Sequence, residues 1–153
     1  MILVEDTRNK PLKHAIKRQY WANEGVQVVR SKLFVGDYSL LNNQSICIDT
    51  KQDWVELASN ICGKQHERFR NECIRALNCD IRLVILVEEK TPVEEWKSPL
   101  KRNGKPLTAV KGETLAKAMQ TMTEKYNVKF VNCDKADAPD IILNLLKNNG
   151  NII

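Results

Sequence analysis

Short apolar runs alternate along the chain with segments in which apolar residues recur every three or four positions. The runs over 2–4, 26–34 and 128–131 predict strands, and the continuous run over 81–87 predicts a central strand that is covered on both faces. Segments with helical spacing lie between these runs. The alternation predicts an α/β fold in which a mixed central β-sheet is flanked by helices.

The predicted helices are marked by apolar spacing and by capping residues. Pro11 suits a first helical turn, and Gly25 suits the end of the same helix. The apolar positions of this helix are Leu12, Ala15, Ile16 and Tyr20. Asp53 and Glu56 form a D-x-x-E capping pattern, which predicts a helix to about residue 61. Further helices are predicted over 64–77, 115–126 and 137–146.

A β-hairpin is predicted in the segment VGDYSLLNNQSICIDTK. Its strands cover 35–41 and 45–51, and an Asn-Asn-Gln-Ser turn joins them. The second strand alternates apolar and mixed positions, so its two faces differ in character. This pattern fixes which side chains of the hairpin share a face.

The hairpin is expected to bring acidic side chains together. If its turn is centred within Asn-Asn-Gln-Ser, Asp37 lies opposite Thr50, and Asp49 lies opposite Tyr38. Asp49 and Lys51 are separated by one residue on the same strand, so they project from one face. Two carboxylates and one ammonium group therefore converge on a small patch.

These groups suit the hydrolysis of phosphodiesters with a divalent metal. Mg²⁺ prefers oxygen ligands and keeps several waters, so one or two carboxylates suffice to bind it. The bound metal activates water and polarises the phosphoryl oxygen, and a nearby Lys can orient the water or offset developing charge. A pair of exposed strand acids with a salt-bridged Lys would give the same spacing, so the D-x-K pattern alone leaves both interpretations open.

Length and charge agree with a nucleic-acid enzyme. The 153 residues predict one domain over 1–153, and 24 Lys and Arg against 19 Asp and Glu favour a polyanionic partner. The Pro-rich segment 88–112, with its Lys101-Arg102 pair, is predicted to be an exposed basic loop. The five cysteines lack CxxC spacing, which argues against a zinc site and favours a reducing cytosol. Neither a signal peptide nor a membrane span is predicted.

Three motifs resemble the nuclease core of the XPF family of structure-specific endonucleases. That family carries D-x-R-E, then V-G-D-Y, then E-R-K-x-x-x-D. The segment ILVEDTRNK resembles the first motif through Asp6 and Arg8, VGDY matches the second through Asp37 and Tyr38, and IDTK resembles the third. IRLVILVEE and KFVNCDKADAPDIILNLLK resemble the family's buried strand and its closing strand and helix. The resemblance implies a restriction-endonuclease-like, PD-(D/E)XK fold over nearly the whole chain.

The chain departs from the family motifs at several positions. Asn9 stands where the first motif has Glu, and Asp49 and Thr50 replace the Glu and Arg of the third motif. The distal Asp of that motif falls on Val55, and Glu56 follows one residue later. Glu56 is therefore a candidate replacement for the distal Asp, although its capping role explains it equally well.

The resemblance implies an endonuclease that cuts DNA and depends on Mg²⁺, for which Mn²⁺ would substitute. The metal would be held by Asp37, Asp49 and the backbone carbonyl of Thr50. The residues assigned to catalysis are Asp37, Asp49, Lys51, Asp6, Arg8 and Glu56. DNA contacts are assigned to His66 and Arg68, on the helix after the catalytic strand, and to Lys101 and Arg102 in the basic loop.

The substrate is expected to be branched or structured DNA that is recognised by shape, because no segment resembles a base-reading helix. The likeness is closest to short stand-alone forms from bacteria and their phages, which implies a cytoplasmic protein of DNA repair or recombination. Two alternatives remain open. One is a module that binds branched DNA without cutting it, and the other is a scaffold subunit that pairs with an active nuclease.

A homodimer is also expected, because nuclease domains of the resembled family typically pair. The last predicted helix carries four large apolar residues, Ile141, Ile142, Leu145 and Leu146, and the chain ends in Ile152-Ile153. This is more apolar surface than one narrow stripe needs. The alternative is that these residues simply close the core.

Overall fold

The computed structural model describes all residues from Met1 to Ile153. Its strands are β1 (Ile2–Glu5), β2 (Gln27–Arg30), β3 (Tyr38–Leu40), β4 (Asn43–Lys51), β5 (Arg82–Val87) and β6 (Lys129–Asn132). Its helices are α1 (Ala15–Asn23), α2 (Trp54–Cys62), α3 (His66–Asn78), α4 (Gly112–Tyr126) and α5 (Ala138–Lys147). None of these helices has the length and apolar character that a membrane crossing requires.

The six strands form one mixed sheet in the order β2-β1-β3-β4-β5-β6. β3 is antiparallel to both β1 and β4, whereas β4, β5 and β6 are parallel to one another. The predicted α/β architecture with a mixed sheet between helices is therefore confirmed. Because β1, β4 and β5 run in one direction, their carboxyl ends meet at the same edge of the sheet.

Two apolar cores cover the two faces of the sheet. Alternate residues of β5 face opposite sides, so Ile85 packs with α2, α3 and α4, whereas Leu86 packs with α1 and α5. Both side chains are completely buried. The continuous apolar run thus forms the predicted central strand, because a strand covered on both faces has no position left for a polar side chain.

The first helix turns a different face inward from the one predicted. Leu12 and Ile16 are 91% and 80% exposed, and the helix begins at Ala15 rather than near Pro11. The inward side chains are those of Lys17 and Trp21. Trp21 donates a hydrogen bond from Nε1 to the carbonyl oxygen of Pro139 in α5 at 3.0 Å, which anchors the helix through a residue that the apolar pattern did not single out.

The register of the hairpin was predicted wrongly by one residue at Tyr38, which was expected to lie opposite Asp49. Tyr38 pairs with Ile48, and Leu40 pairs with Asn43 after an irregularity between the two pairs. The turn is therefore tighter and earlier than the predicted Asn-Asn-Gln-Ser turn. Asp37 itself lies outside β3. Its N–H donates to the carbonyl oxygen of Ile48, and its carboxylate accepts from Thr50, the residue that it was predicted to face.

The predicted loop 88–112 is only partly exposed. Its 3-10 helix, Val93–Glu95, buries Val93, and Trp96 is buried next to it. Gly112 begins α4 against this segment, where a Cβ atom would lie only 2.1 Å from the carbonyl oxygen of Val93. The loop therefore packs on the core at its first third, whereas Lys101 and Arg102 are exposed.

The apolar residues of the last helix close the core. Ile142, Leu145 and Leu146 are at most 1% exposed, and Ile141 is half-buried. The proposal that this helix supplies a dimer surface was therefore wrong for these residues, because the sheet and α1 already cover them. Only Ile152-Ile153 at the chain end is exposed as expected.

Candidate active site

Strand direction gathers the predicted site residues at one edge of the sheet. Asp6 directly follows β1, Asp37 directly precedes β3, and β4 ends with Asp49, Thr50 and Lys51. The start of β3 lies beside the ends of β1 and β4, because β3 is antiparallel to both. Residues that are far apart in sequence therefore meet in one cleft.

Asp37 is held by the strand that carries Asp49. Its Oδ2 atom accepts hydrogen bonds from the backbone N–H of Thr50 at 2.8 Å and from the Thr50 hydroxyl at 2.6 Å. Its own N–H donates to the carbonyl oxygen of Ile48 at 2.7 Å. Gly36 has a φ of 76°, and a Cβ there would lie 3.0 Å from the same carbonyl oxygen, so glycine permits this close approach.

Lys51 lies against Asp49 and is itself buried. Its Nζ atom is 3.0 Å from Asp49 Oδ2, donates to Asn60 Oδ1 at 3.2 Å and lies 5.4 Å from the centre of the Phe69 ring. Burial alone would lower the pKa of Lys51, but the attraction of Asp49 outweighs it and raises the pKa. Lys51 therefore remains a cation that is fixed in place by three neighbours.

Asp37 is an unusually weak acid in this setting. Withdrawal from water and the neighbouring charge of Asp49 raise the pKa of Asp37 to about 8, against the lowering effect of the Thr50 hydrogen bonds and of Lys51. Two carboxylates that converge in this way repel each other unless a proton or a cation intervenes. A proton on Asp37 or a cation between the two carboxylates would relieve this repulsion.

Asp6 and Arg8 form a hydrogen-bonded pair at the rim of the cleft. Arg8 Nε donates to Asp6 Oδ2 at 2.6 Å, and Asp6 Oδ1 accepts from the backbone N–H of Leu33 at 2.8 Å. These bonds lower the pKa of Asp6, although burial alone would raise it. Asn9, at the position of the family's Glu, donates to the carbonyl oxygen of Asp37 at 3.4 Å. The first motif therefore supports the segment that carries Asp37.

Glu56 lines the cleft but is engaged as a helix cap. Its carboxylate accepts from the backbone N–H of Gln52 at 3.1 Å, while Asp53 accepts from the N–H of Glu56 at 2.9 Å. Asp53 thus caps the helix as the D-x-x-E pattern predicted, whereas Glu56 reaches back to the residue before the cap and not to the cap's own N–H. The catalytic role assigned to Glu56 stays a prediction.

Glu72 of α3 is a member of the site that the sequence analysis missed. Its Oε1 atom accepts from the backbone N–H of Gly36 at 3.1 Å. Burial and the charge of Asp49 raise its pKa to about 7. The available signal was its spacing, since Glu72 falls between Phe69 and Ala76 on the buried side of an amphipathic helix. An acid on an apolar stripe indicates a buried polar partner.

Buried ion pairs join α1 to the same edge of the sheet. Glu5 is completely buried and accepts two hydrogen bonds from Arg18, at 2.9 and 3.0 Å. Lys17 Nζ lies 2.9 Å from Glu88 Oε1, and both side chains are nearly inaccessible. Such pairs fix α1 to the ends of β1 and β5, because removing one partner would leave an uncompensated buried charge.

The cleft itself is open, polar and about 1340 Å³ in volume, and only two of its lining residues are hydrophobic. Its basic lining residues besides Lys51 are Arg8, Lys10, Lys13, Lys64, Arg68 and Arg75. Arg68 thus lines the cleft, and its assigned DNA contact stays a prediction. His66, Lys101 and Arg102 do not line the cleft, and their assigned contacts stay predictions.

The two carboxylates of the site are ligands of the kind that a hard divalent cation prefers. No group of three or more His, Cys, Asp or Glu side chains is close enough to hold a metal on its own. Mg²⁺ needs only one or two carboxylates because it keeps several waters, and Asp37 and Asp49 provide them. Asp49 Oδ2 is buried with Lys51 Nζ as its one polar neighbour, so it keeps a lone pair that a bound cation could use.

The mixed sheet, the flanking helices and the carboxylates at the sheet edge define a restriction-endonuclease-like nuclease fold. Within that class, the ERCC4 domain matches residues 5–145, and the chain belongs to this nuclease family. The resemblance inferred from the three motifs is thereby confirmed.

Two solved structures share the fold. XPF from Aeropyrum pernix superposes with a TM-score of 0.65 at 20% identity, over 97% of this chain and 65% of that one. The same protein in complex with DNA gives a TM-score of 0.66 at 20% identity, over 97% of this chain and 64% of that one. This chain thus spans slightly less than two thirds of either relative. No curated protein sequence matches it.

Proposed function

We propose that this protein is an endonuclease that hydrolyses phosphodiester bonds in structured DNA and depends on Mg²⁺ or Mn²⁺. The observation that carries the proposal is the convergence of Asp37, Asp49 and Lys51 on the floor of a polar cleft with basic side chains around it. Membership of the ERCC4 domain family supports the same chemistry.

Each residue has a distinct part in the proposed reaction. Asp37, Asp49 and the carbonyl oxygen of Thr50 would hold the cation, and Thr50 would also orient Asp37 through its two hydrogen bonds. When bound, the metal supplies an activated water and polarises the phosphoryl oxygen. Lys51 is fixed by Asp49 and Asn60, so its ammonium group would stabilise negative charge that develops on the phosphate.

The cleft suits a DNA backbone better than a small ligand. It is wide, has almost no apolar lining, and receives cations from two segments: Lys10 and Lys13 come from the segment before α1, whereas Arg68 and Arg75 come from α3. Contacts of this kind bind phosphates without reading bases. We therefore propose recognition by shape, with branched or single-strand-containing DNA as the substrate.

A cleavage assay tests this proposal directly. Purified protein is incubated with labelled duplex, flap, fork and four-way-junction DNAs in Mg²⁺, Mn²⁺, Ca²⁺ or EDTA. Cleavage of a branched DNA is expected with Mg²⁺ and Mn²⁺, with little in Ca²⁺ and none in EDTA. Undiminished cleavage in EDTA would refute the mechanism, and preferential cutting of plain duplex would refute the substrate.

A non-catalytic DNA-binding module is the second candidate. Asn9 and Val55 replace two acidic residues of the family motifs. The loss of these carboxylates favours a site with low catalytic activity or none. A titration with Mn²⁺ separates the candidates, since an enzyme binds the ion at Asp37 and Asp49. Shape-specific DNA binding without metal binding or cleavage would favour the module, and a stable complex with an active nuclease would favour a scaffold subunit.

A further inference from the structure

Phe34 is an aromatic side chain in an unusual environment. The chain has three Phe, three Trp and three Tyr residues, and Phe34 alone among them is exposed, at 69%. Single exposed apolar residues are common and need no explanation by themselves. Phe34 does not line the cleft itself, but it stands three residues before Asp37, and side chains of the cleft hold its loop.

Four side chains from the cleft hold the loop over residues 33–36, which leads into Asp37. Asp6 accepts from the N–H of Leu33 at 2.8 Å, and Arg8 donates to the Leu33 carbonyl oxygen at 3.0 Å. Glu72 accepts from the N–H of Gly36 at 3.1 Å, and Arg75 donates to the carbonyl oxygen of Phe34 itself at 2.9 Å. A loop that is fixed on both sides presents its side chain at low entropic cost on binding.

The surroundings of Phe34 are cationic. Lys32 is exposed and forms no ion pair, Arg75 is exposed, and the Arg8 side chain is 52% exposed. Only three peptide units separate Phe34 from Asp37, so their Cα atoms are at most about 11 Å apart. At about 3.4 Å per nucleotide along a strand, this is a reach of about three nucleotides from the reacting phosphate.

We infer that Phe34 stacks on an unpaired base of the DNA strand next to the cleavage site. The inference rests on the proposed function, because it adds a base contact to the phosphate contacts of the same cleft. An aromatic face flanked by guanidinium and ammonium groups is the chemistry that binds single-stranded nucleic acid. A paired base is not available for stacking, so Phe34 would favour DNA with an unpaired arm near the cut. This would provide part of the discrimination for branched substrates.

The test compares the base and phosphate contributions in one experiment. Two fork DNAs are used, identical except that one has thymine bases in its single-stranded arm and the other has abasic sites. Their affinities for the unsubstituted chain, Phe34→Ala and Leu41→Ala are measured in Ca²⁺ by fluorescence anisotropy. Leu41 is a matched control because it is 50% exposed and lies at the opposite end of β3.

Phe34→Ala should weaken binding of the thymine arm by about five- to 150-fold, the range for loss of one stacked base. It should leave the affinity for the abasic arm unchanged, and Leu41→Ala should change neither affinity. Equal losses on both arms, or no loss on either, would overturn the inference while the proposed nuclease function stands. Failure of the unsubstituted chain to bind any fork would overturn both.

A fluorescent variant provides an independent readout. The three native Trp side chains are buried, so Phe34→Trp would introduce the one exposed indole. Its emission should be quenched by the thymine-armed fork and not by the abasic one, whereas Leu41→Trp should respond to neither. Unchanged emission of Phe34→Trp at saturating thymine-armed fork would contradict stacking.

Discussion

The substitution Asp37→Asn should stabilise the metal-free fold above neutral pH, although it removes a metal ligand. Burial and Asp49 raise the pKa of Asp37 to about 8 from an ordinary value of 3.8. At pH values between 3.8 and about 8, Asp37 keeps its proton in the folded chain but has released it in the unfolded chain. Stability therefore falls as pH rises through this interval, because the unfolded state binds fewer protons. Asn has no proton to lose, so this contribution disappears in the variant.

The magnitude follows from the same values. Each tenfold change in proton affinity is worth about 1.4 kcal/mol, so the interval gives an upper bound of about 6 kcal/mol. Asp37 is partly exposed at the floor of an open cleft, and solvent there reduces the effect. We expect Asp37→Asn to gain about 1–3 kcal/mol at pH 8. The amide oxygen of Asn can accept both hydrogen bonds from Thr50, which preserves the local packing.

Urea denaturation in EDTA measures this difference. The unsubstituted chain should be less stable at about pH 8.5 than at about pH 6, and Asp37→Asn should reduce that dependence. Glu124→Gln removes an exposed acid of α4 away from the cleft and should behave like the unsubstituted chain. If Asp37→Asn and the unsubstituted chain lose stability in parallel between the two pH values, the electrostatic account of the site is wrong.

Four further predictions concern the site and the assembly. Asp49→Asn should abolish cleavage yet keep or improve DNA affinity, since it removes negative charge from a site for a polyanion; cleavage at the original rate would show that the site is misplaced. Glu72→Ala should weaken Mn²⁺ affinity, measured by calorimetry, by about tenfold because Gly36 loses its acceptor, and Glu72→Gln should restore it; equal effects of both would exclude this positioning role. A plot of the logarithm of the DNA association constant against the logarithm of salt concentration should have a slope of about −4 to −5, as expected if about five phosphates are neutralised; an association constant that does not change with salt would argue against backbone binding. Sedimentation at micromolar concentration should give a dimer, as the family resemblance implies, formed through a surface other than the buried face of α5; a monomer with full nuclease activity would refute that expectation.

Much of the fold was predictable because its signals are local. The apolar run of β5, the N-cap of α2 and the closing strand and helix each depend on a few adjacent residues. The motifs around Asp6, Asp37 and Asp49 also identified three of the site's carboxylates. The structure places all three at one edge of the sheet, as strand direction requires.

The helix faces were less predictable because burial depends on distant partners. Lys17 is buried because Glu88 lies 2.9 Å away, whereas Leu12 is exposed because no surface covers it. The spacing of apolar residues in α1 cannot reveal the pairing of Lys17 with Glu88, because Glu88 lies far away along the chain, next to β5. Glu72 was missed for the same reason, since its partner Gly36 lies on a loop that only the tertiary structure brings to α3.

The sequence by itself determined the order of strands and helices, the two-sided burial of β5 and the identity of the acids at the strand ends. These follow from side-chain periodicity and capping, which act within a few residues. The tertiary structure decided the pairing of Tyr38 with Ile48, the presence of Glu72 in the site and the exposure of Phe34. Strand pairing and the burial of charge depend on groups that are distant along the chain, so their outcome is fixed only when the elements pack against one another.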